Sequence, residues 1–518
     1  MGKWIRRSIF FLIIIEIVFA LSGAYDKMLE MEIIAAFSWD GFRVFMSWFF
    51  AVYIFLIMAL VFFENKNPSK MIAWLLVLAV LPGVGFVFYI LFGRNIAKRR
   101  RSTKKKNTDE NRMAYAAKIQ RDIMRYVTYF KEMNSPVASR LAMLLMNSAD
   151  APFLINNRVD ILTNGDETFS KILYALESAK DHIHMEYYII RDDKIGTEIK
   201  NVLIKKAKEG IKVRLIYDSV GCWKLSAKYV HDLKLAGVEM YPFFPVALPI
   251  LSRELNYRNH RKIVVVDGRV GFVGGLNIGD EYLGRSKQFG FWRDTHMAIW
   301  GEAVYGLQNT FINDWNFVSR QTLDSEVFFP KQAHQGDTIV QIAASGPDSE
   351  WHSIEQAYFT MVSSAKSRVY ITTPYLVPGE SMMSALKTAA LSGVDVRIVI
   401  PAKPDHFLVY WASRDNIESL LEAGVRIYAY EKGFVHSKVV IVDSEVSTVG
   451  TANFDLRSFQ INFEVNAFIY DGDVAQKLER DFFNDLDASS EINLETHLNR
   501  GIHIRFLESL GRLVSPLQ

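Results

Sequence analysis

Apolar residues follow two regimes along this chain. Between 8 and 93 they come in long unbroken runs, whereas beyond 150 short β-branched runs alternate with segments of helical spacing. Residues 44–63 (VFMSWFFAVYIFLIMALVFF) are twenty consecutive uncharged, mostly apolar positions, the length that crosses a hydrocarbon layer as a helix. Residues 71–93 form a second such stretch, bracketed by Trp74 and Tyr89, with Pro82-Gly83-Val84-Gly85 marking a kink or break. A third, 8–23, is interrupted by Glu16, a carboxylate costly at mid-bilayer unless neutralised or paired.

From 107 to 150, Met113, Ala116, Ile119, Ile123, Val127 and Phe130 recur at three- and four-residue spacing, which predicts a helical connector. The chain then repeats itself. Gly210-Ile211-Lys212-Val213-Arg214-Leu215-Ile216 answers to Gly393-Val394-Asp395-Val396-Arg397-Ile398-Val399, and Ala236-Gly237-Val238 to Ala423-Gly424-Val425. Helical segments such as 196–209 and 381–392 end in glycine before β-branched runs, so each copy is expected to be an α/β unit with a mostly parallel sheet. The pattern divides the chain into a membrane anchor with a basic flank (1–106), the connector (107–150) and two α/β domains (151–330 and 331–518). The first copy carries an aromatic and proline-rich insert, Tyr241–Leu255, that either dips toward lipid or packs as a lid on its own protein.

Charge sharpens this division. The first 106 residues hold 15 basic and 6 acidic side chains, although the whole chain has a net charge of only +3. A duplex-binding protein spreads its basic footprint over a folded domain, so nucleic acid is not an expected partner. The cluster Arg94, Lys98, Arg99, Arg100, Arg101, Lys104, Lys105 and Lys106 places the folded remainder on the cytoplasmic side by the positive-inside rule. Lys3, Arg6 and Arg7 ask for the same side. Both demands cannot be met if all three stretches cross, which leaves three ways out: the first stretch lies in the interface or is removed, the proline-broken stretch is re-entrant, or the larger cluster overrides the smaller. The single cysteine, Cys222, excludes an intrachain disulfide and a cysteine-rich metal site.

Each copy ends with the same constellation. His260-Arg261-Lys262 and Asp267 precede Gly274-Gly275-Leu276-Asn277; His436-Ser437-Lys438 and Asp443 precede Gly450-Thr451-Ala452-Asn453. Chance would supply about 0.04 matches to H-x-K-x-x-x-x-D in a chain with this many histidines, so two in register with a repeat are not coincidence. Residues two apart in a strand share a face, which points histidine and lysine together. Face to face, the copies would give one cleft with two imidazoles, two ammoniums and two carboxamides, an inventory suited to a phosphodiester. Lys262, Lys438, Asn277 and Asn453 would bind its oxygens. One histidine would attack phosphorus while the other protonates the leaving alkoxide, with no metal or other cofactor required. The histidines need orienting carboxylates, for which Asp294 and Glu464 are the candidates. Asp267 and Asp443 complete the catalytic motif, but their place at the far end of buried strands suits anchoring a turn or pairing with a basic group. The other histidines read as structural, not as metal ligands.

The strings RNHRKIVVVDGRVGFVGGLNIGDEYL, FWRDTH, HSKVVIVDSEVSTVGTANFDLRSFQINFE and LPGVGFVFYILFGRN resemble bacterial cardiolipin synthases of the phospholipase D superfamily. The resemblance covers two membrane stretches and essentially all of 150–518. It implies two α/β/α sandwich domains forming a pseudo-dimer with a shared site, in a multi-pass protein of the bacterial cell membrane. It further implies transfer of a phosphatidyl group from one phosphatidylglycerol to another through a phosphohistidine, with His260 attacking and His436 as acid and base. Hydrolysis by the same site, as a phospholipase D or nuclease, and a non-catalytic membrane scaffold are the alternatives. The stretch containing Glu16 departs from the usual two-span head.

Overall fold

The computed structural model describes residues 135–245, 256–323, 326–403, 407–504 and 507–508, together with 43–48, 51–53, 55, 59, 68–80, 85, 89, 116 and 120–121. The chain divides into two compact units, Met1–Arg94 and Asn95–Gln518.

In the first unit the helix Pro68–Val80 presents Trp74, which meets Tyr89 edge to face with ring centres 5.3 Å apart. Phe45, Trp48, Phe55, Ile72 and Leu76 are exposed. No helix among the described residues is long and apolar enough to cross a membrane. The stretch 8–23, the basic flank and much of 44–63 and 71–93 lie outside the described residues.

The second unit is built on one 15-stranded sheet with a pseudo-twofold at its centre. In the first copy the strands are β1 (Leu154–Thr163), β2 (His182–Tyr187), β3 (Lys212–Asp218), β4 (Glu239–Phe243), β5 (Ile263–Val266), β6 (Val270–Gly274), β7 (Phe291–Arg293) and β8 (Thr295–Trp300). The second copy contributes β9 (Thr338–Ser345), β10 (Arg368–Thr372), β11 (Leu376–Val377), β12 (Asp395–Pro401), β13 (Arg426–Tyr430), β14 (Gly433–Val435), β15 (Val439–Val442), β16 (Val446–Gly450), β17 (Phe454–Asp455), β18 (Glu464–Tyr470) and β19 (Ser489–Glu491). Outward from the β1–β9 junction one half runs β1-β8-β6-β5-β2-β3-β4 and the other β9-β18-β16-β15-β10-β12-β13-β19. The copies thus form a duplicated α/β fold.

Within this sheet only β2-β3-β4 and β10-β12-β13 are parallel; the strands nearer the centre are antiparallel, which corrects the expectation of a mostly parallel sheet. The cause is local. Asp267 and Gly268 both have positive φ, 55° and 62°, as do Asp443 and Ser444, each at 56°. The Arg269 N–H closes on Val266 O at 3.0 Å and the Glu445 N–H on Val442 O at 3.1 Å. These are two-residue mirror-type turns whose twist matches a tight antiparallel hairpin.

Both faces of the central strands are covered. Ile263 and Val265 pack with Val304 and Leu307 of the helix Val304–Ser319, while Val264 and Val266 pack with Ile172, Leu176 and Ile199 of helices on the other face. That two-sided burial explains why the runs IVVV and VVIV are continuous rather than alternating. The helix Pro136–Ala149 sits in the core of the second copy, its Val137, Leu141 and Leu145 clustering with Tyr358 and Met361. The expected connector therefore ends as a packed layer of that domain. Of the 241–255 insert, Phe243 and Phe244 are buried against Phe463, whereas 246–255 lie outside the described residues.

Candidate active site

His260 and Lys262 lie just ahead of β5, and His436 and Lys438 just ahead of β15, not within the strands as the spacing suggested. In each copy the lysine Nζ turns back to donate to the carbonyl of its own histidine: Lys262 to His260 O at 2.7 Å, and Lys438 to His436 O. Both imidazoles, with Asn277 and Asn453, line one cavity of about 610 Å³.

Each histidine is completed by the other copy. Strand β14 runs parallel to β7 and pairs Val435 with Arg293, and the His436 N–H donates to Arg293 O at 2.7 Å. The next residue, Asp294, therefore faces the imidazole, with its Oδ2 2.8 Å from His436 Nδ1. In the opposite sense Asn259 bridges Phe463 in parallel, and the His260 N–H donates to Phe463 O at 2.9 Å. This sets Glu464 against His260, both carboxylate oxygens lying 3.0 Å from Nδ1. An ionised carboxylate can only accept, so Nδ1 carries the proton and Nε2 is left toward the cavity.

Burial dominates the electrostatics. It pushes His436 down to about 3, reinforced by the Lys438 ammonium and opposed by Asp294. His260 is also lowered by burial, with Glu464 opposing and Lys262 adding to the fall. Burial would raise Asp294 and Glu464, but His436 and Lys438 in one case, His260 and Lys262 in the other, hold both below the ordinary carboxylate range. Lys262 is pushed down to about 7, chiefly by burial and then by Lys438, against the pull of Glu464, Asp294 and Asp218. Protonation of these groups is thus disfavoured by burial, a cost that a phosphate anion in the cleft would offset.

Asn277 is held by both ends of its amide, accepting from Ile189 N–H at 3.2 Å and donating to Tyr282 Oη at 3.2 Å. Asn453 Oδ1 is buried without a protein partner. Asp267 and Asp443 are not brought to the cavity. Their carboxylates accept from the backbone N–H groups of Lys180, Asp181 and His182, and of Lys366, Ser367 and Arg368, at 2.8–3.0 Å. They pin the hairpin turns to the neighbouring loops, so this geometry corrects their inclusion among catalytic groups. Among the described residues, no group of three or more His, Cys, Asp or Glu is arranged to hold a metal ion.

Several cavity residues carry no motif signal. Tyr188 stacks edge-on to His260 with centroids 5.0 Å apart, and Trp292 lies 5.2 Å from His436. Arg258 pairs with buried Asp218 at 3.2 Å. Behind His260, Arg261 binds Asp314, Glu464 O and Ser345 O, and Asn259 binds Glu186. In the second copy the corresponding guanidinium arrives from across the interface: Arg293 pairs with Asp485 at 2.7 Å and reaches Ser437 Oγ at 3.4 Å.

The small pair ahead of each asparagine has a steric cause. A Cβ at Gly275 would collide with the Asp294 carboxylate, and one at Gly450 with the Asn466 side chain. Gly275→Ala should therefore shift Asp294 off His436 and lower kcat about 10- to 100-fold, with a circular dichroism spectrum like that of the parent. Unchanged kcat in that variant would show that Asp294 does not position the ring.

The family model for the cardiolipin synthase, phospholipase D-like domain matches residues 172–315 and 358–486, and the phospholipase D-nuclease N-terminal model matches 51–94. The chain is 50% identical to cardiolipin synthase 2 of Bacillus anthracis over 477 residues, 90% of each chain. It is 43% identical to the major cardiolipin synthase of Bacillus subtilis over 480 residues, covering 92% of this chain and 99% of that one. Among solved structures, a phosphatidylserine synthase of Haemophilus influenzae superposes with a TM-score of 0.56 at 15% identity, covering 73% of this chain and all of that one, a likeness of fold alone. By domain match and by identity over most of its length, the chain belongs to the cardiolipin synthase family of phospholipase D-like proteins.

Proposed function

We propose that the chain is a membrane-anchored phosphatidyltransferase that makes cardiolipin and glycerol from two molecules of phosphatidylglycerol. The observation that carries this is the single cavity onto which two imidazoles open, each backed by a carboxylate of the opposite copy. His260 Nε2 attacks phosphorus, the bond from phosphorus to the glycerol oxygen breaks, and His436 Nε2–H gives its proton to that oxygen. A hydroxyl of the second phosphatidylglycerol then loses its proton to His436, bonds to phosphorus and displaces His260. Lys262, Lys438, Asn277 and Asn453 hold the non-bridging oxygens and offset charge as it develops. Asp294 and Glu464 fix the tautomers and stabilise each imidazolium, whereas Asp267 and Asp443 act at a distance by fixing the turns.

The domains are taken as 151–330 and 331–518, preceded by the anchor (1–106) and the connector (107–150). Two spans at about 44–63 and 71–93 would hold the protein in the bacterial cell membrane with its catalytic part cytoplasmic. The exposed Phe45, Trp48, Phe55, Ile72 and Leu76 and the basic cluster after Arg94 support that placement. Purified full-length protein in phosphatidylglycerol vesicles should release one glycerol per cardiolipin formed without added nucleotide or metal, because two lysines supply the positive charge. Release of phosphatidic acid in place of cardiolipin would overturn the transferase reading in favour of hydrolysis.

The depressed proton affinities of the cleft set a pH dependence. Lys262 must be charged to hold phosphate, so kcat/KM, which reports the free enzyme, should fall as pH rises through about 7. A bound phosphodiester restores proton affinity to Lys262 and His436, so the alkaline limb of kcat should lie higher, and substrate-analogue binding at neutral pH should take up protons. Calorimetry in buffers of different ionisation enthalpy reads that uptake; zero uptake contradicts it.

A further inference from the structure

The pseudo-twofold is broken at two positions beside the reacting groups. Four residues past each cavity asparagine stand Glu281 in the first copy and Arg457 in the second, and both line the cavity. Two residues ahead of each histidine stand Arg258, which also lines it, and Phe434, which packs on Trp292 behind His436. The wall beside His260 therefore gathers two guanidiniums, and the wall beside His436 gathers Trp292, Phe289 and Glu281. Arg457 is aimed by Asn256, donating from Nη1 to Oδ1 at 3.0 Å and from Nη2 to the carbonyl at 2.8 Å. Glu281 is occupied by Arg191 at 3.5 Å. Arg258 and Arg457 line the same cavity, and burial, with Arg258, lowers the proton affinity of Arg457 against Tyr188 and Asp455.

One phosphodiester carries one negative charge, and the two lysines and two asparagines already suffice to bind it. Cardiolipin carries two phosphates joined through three carbons, and both must be in the cavity when the second ester bond forms. We propose that Arg258 and Arg457 form a second phosphodiester subsite that holds the accepting phosphatidylglycerol by its own phosphate. The site thereby favours a phospholipid acceptor over water and small alcohols. This rests on the transferase reading above.

The test supplies phosphatidylglycerol vesicles and ethanol together to the full-length protein and measures cardiolipin against phosphatidylethanol. Ethanol accepts the phosphatidyl group without bringing a phosphate. Arg457→Gln should lower the ratio of cardiolipin to phosphatidylethanol about 10- to 100-fold, the loss expected for a charge-assisted hydrogen bond. Arg457→Lys, which keeps the charge, should recover part of that ratio. An unchanged ratio in Arg457→Gln, or both products falling in step, overturns the subsite while leaving the transferase reading intact. Failure of the unaltered protein to make either product overturns the transferase reading, and the subsite with it.

Discussion

His260→Ala is expected to abolish cardiolipin formation, lowering turnover by about 10⁴-fold or more, and His436→Ala should do nearly the same. The two imidazoles open onto one cavity and act on one phosphorus atom, so the effects should not add: the double variant should be no slower than the worse single one. The variants should differ in what a better leaving group restores. A phosphatidyl ester of p-nitrophenol leaves without a proton, so its first-step release should recover in His436→Ala but not in His260→Ala. Recovery in His260→Ala alone would reverse the assignment of attack and protonation, and recovery in both would contradict attack by either histidine.

Asp294→Asn and Glu464→Gln come next in size, at about 10³-fold each. Both carboxylates are fully buried and hold Nδ1 of an imidazole at 2.8 and 3.0 Å. An amide in either place can present its NH2 to Nδ1 and force the wrong tautomer. Glu464 also accepts from Thr451 Oγ1 and Asn462 Nδ2, so a glutamine there must lose one of those bonds as well. Because Asp294 serves His436, Asp294→Asn should be relieved by the p-nitrophenol ester. Glu464→Gln, which disables His260, should not. Equal relief of both variants would show that the carboxylates do not divide as the crossed pairing requires.

The sequence made the groups of the site legible but not their partnership. Paired histidines and lysines, downstream asparagines and the two candidate carboxylates are visible because a duplication displays them twice. Which carboxylate meets which histidine is decided by two short parallel contacts, Val435 with Arg293 and Asn259 with Phe463, between segments more than a hundred residues apart. No local periodicity encodes such a pairing. The same holds for Arg293, whose partner Asp485 belongs to the other copy. Other features were open to a closer reading. Asp267-Gly268 after a β-branched run is a hairpin signal, and it makes the inner strands antiparallel and assigns the motif aspartate to a turn. Helices alternating with β-branched runs point to a parallel sheet, yet IVVV and VVIV are continuous only because both of their faces are covered, which happens whatever the strand direction. The apolar stretches expected to span a membrane are read from composition alone, and most of their residues lie outside the described ones.

The most direct measurement is a chase of His436→Ala protein with the phosphatidyl ester of p-nitrophenol, quenched and digested for mass spectrometry. The phenolate leaves without a proton and the group that activates the second alcohol is gone, so one phosphatidyl group per chain should accumulate, with its mass on the peptide containing His260. An unmodified His260, or an adduct on any residue outside the shared cavity, would contradict a phosphorus atom passing between two histidines completed across the pseudo-twofold.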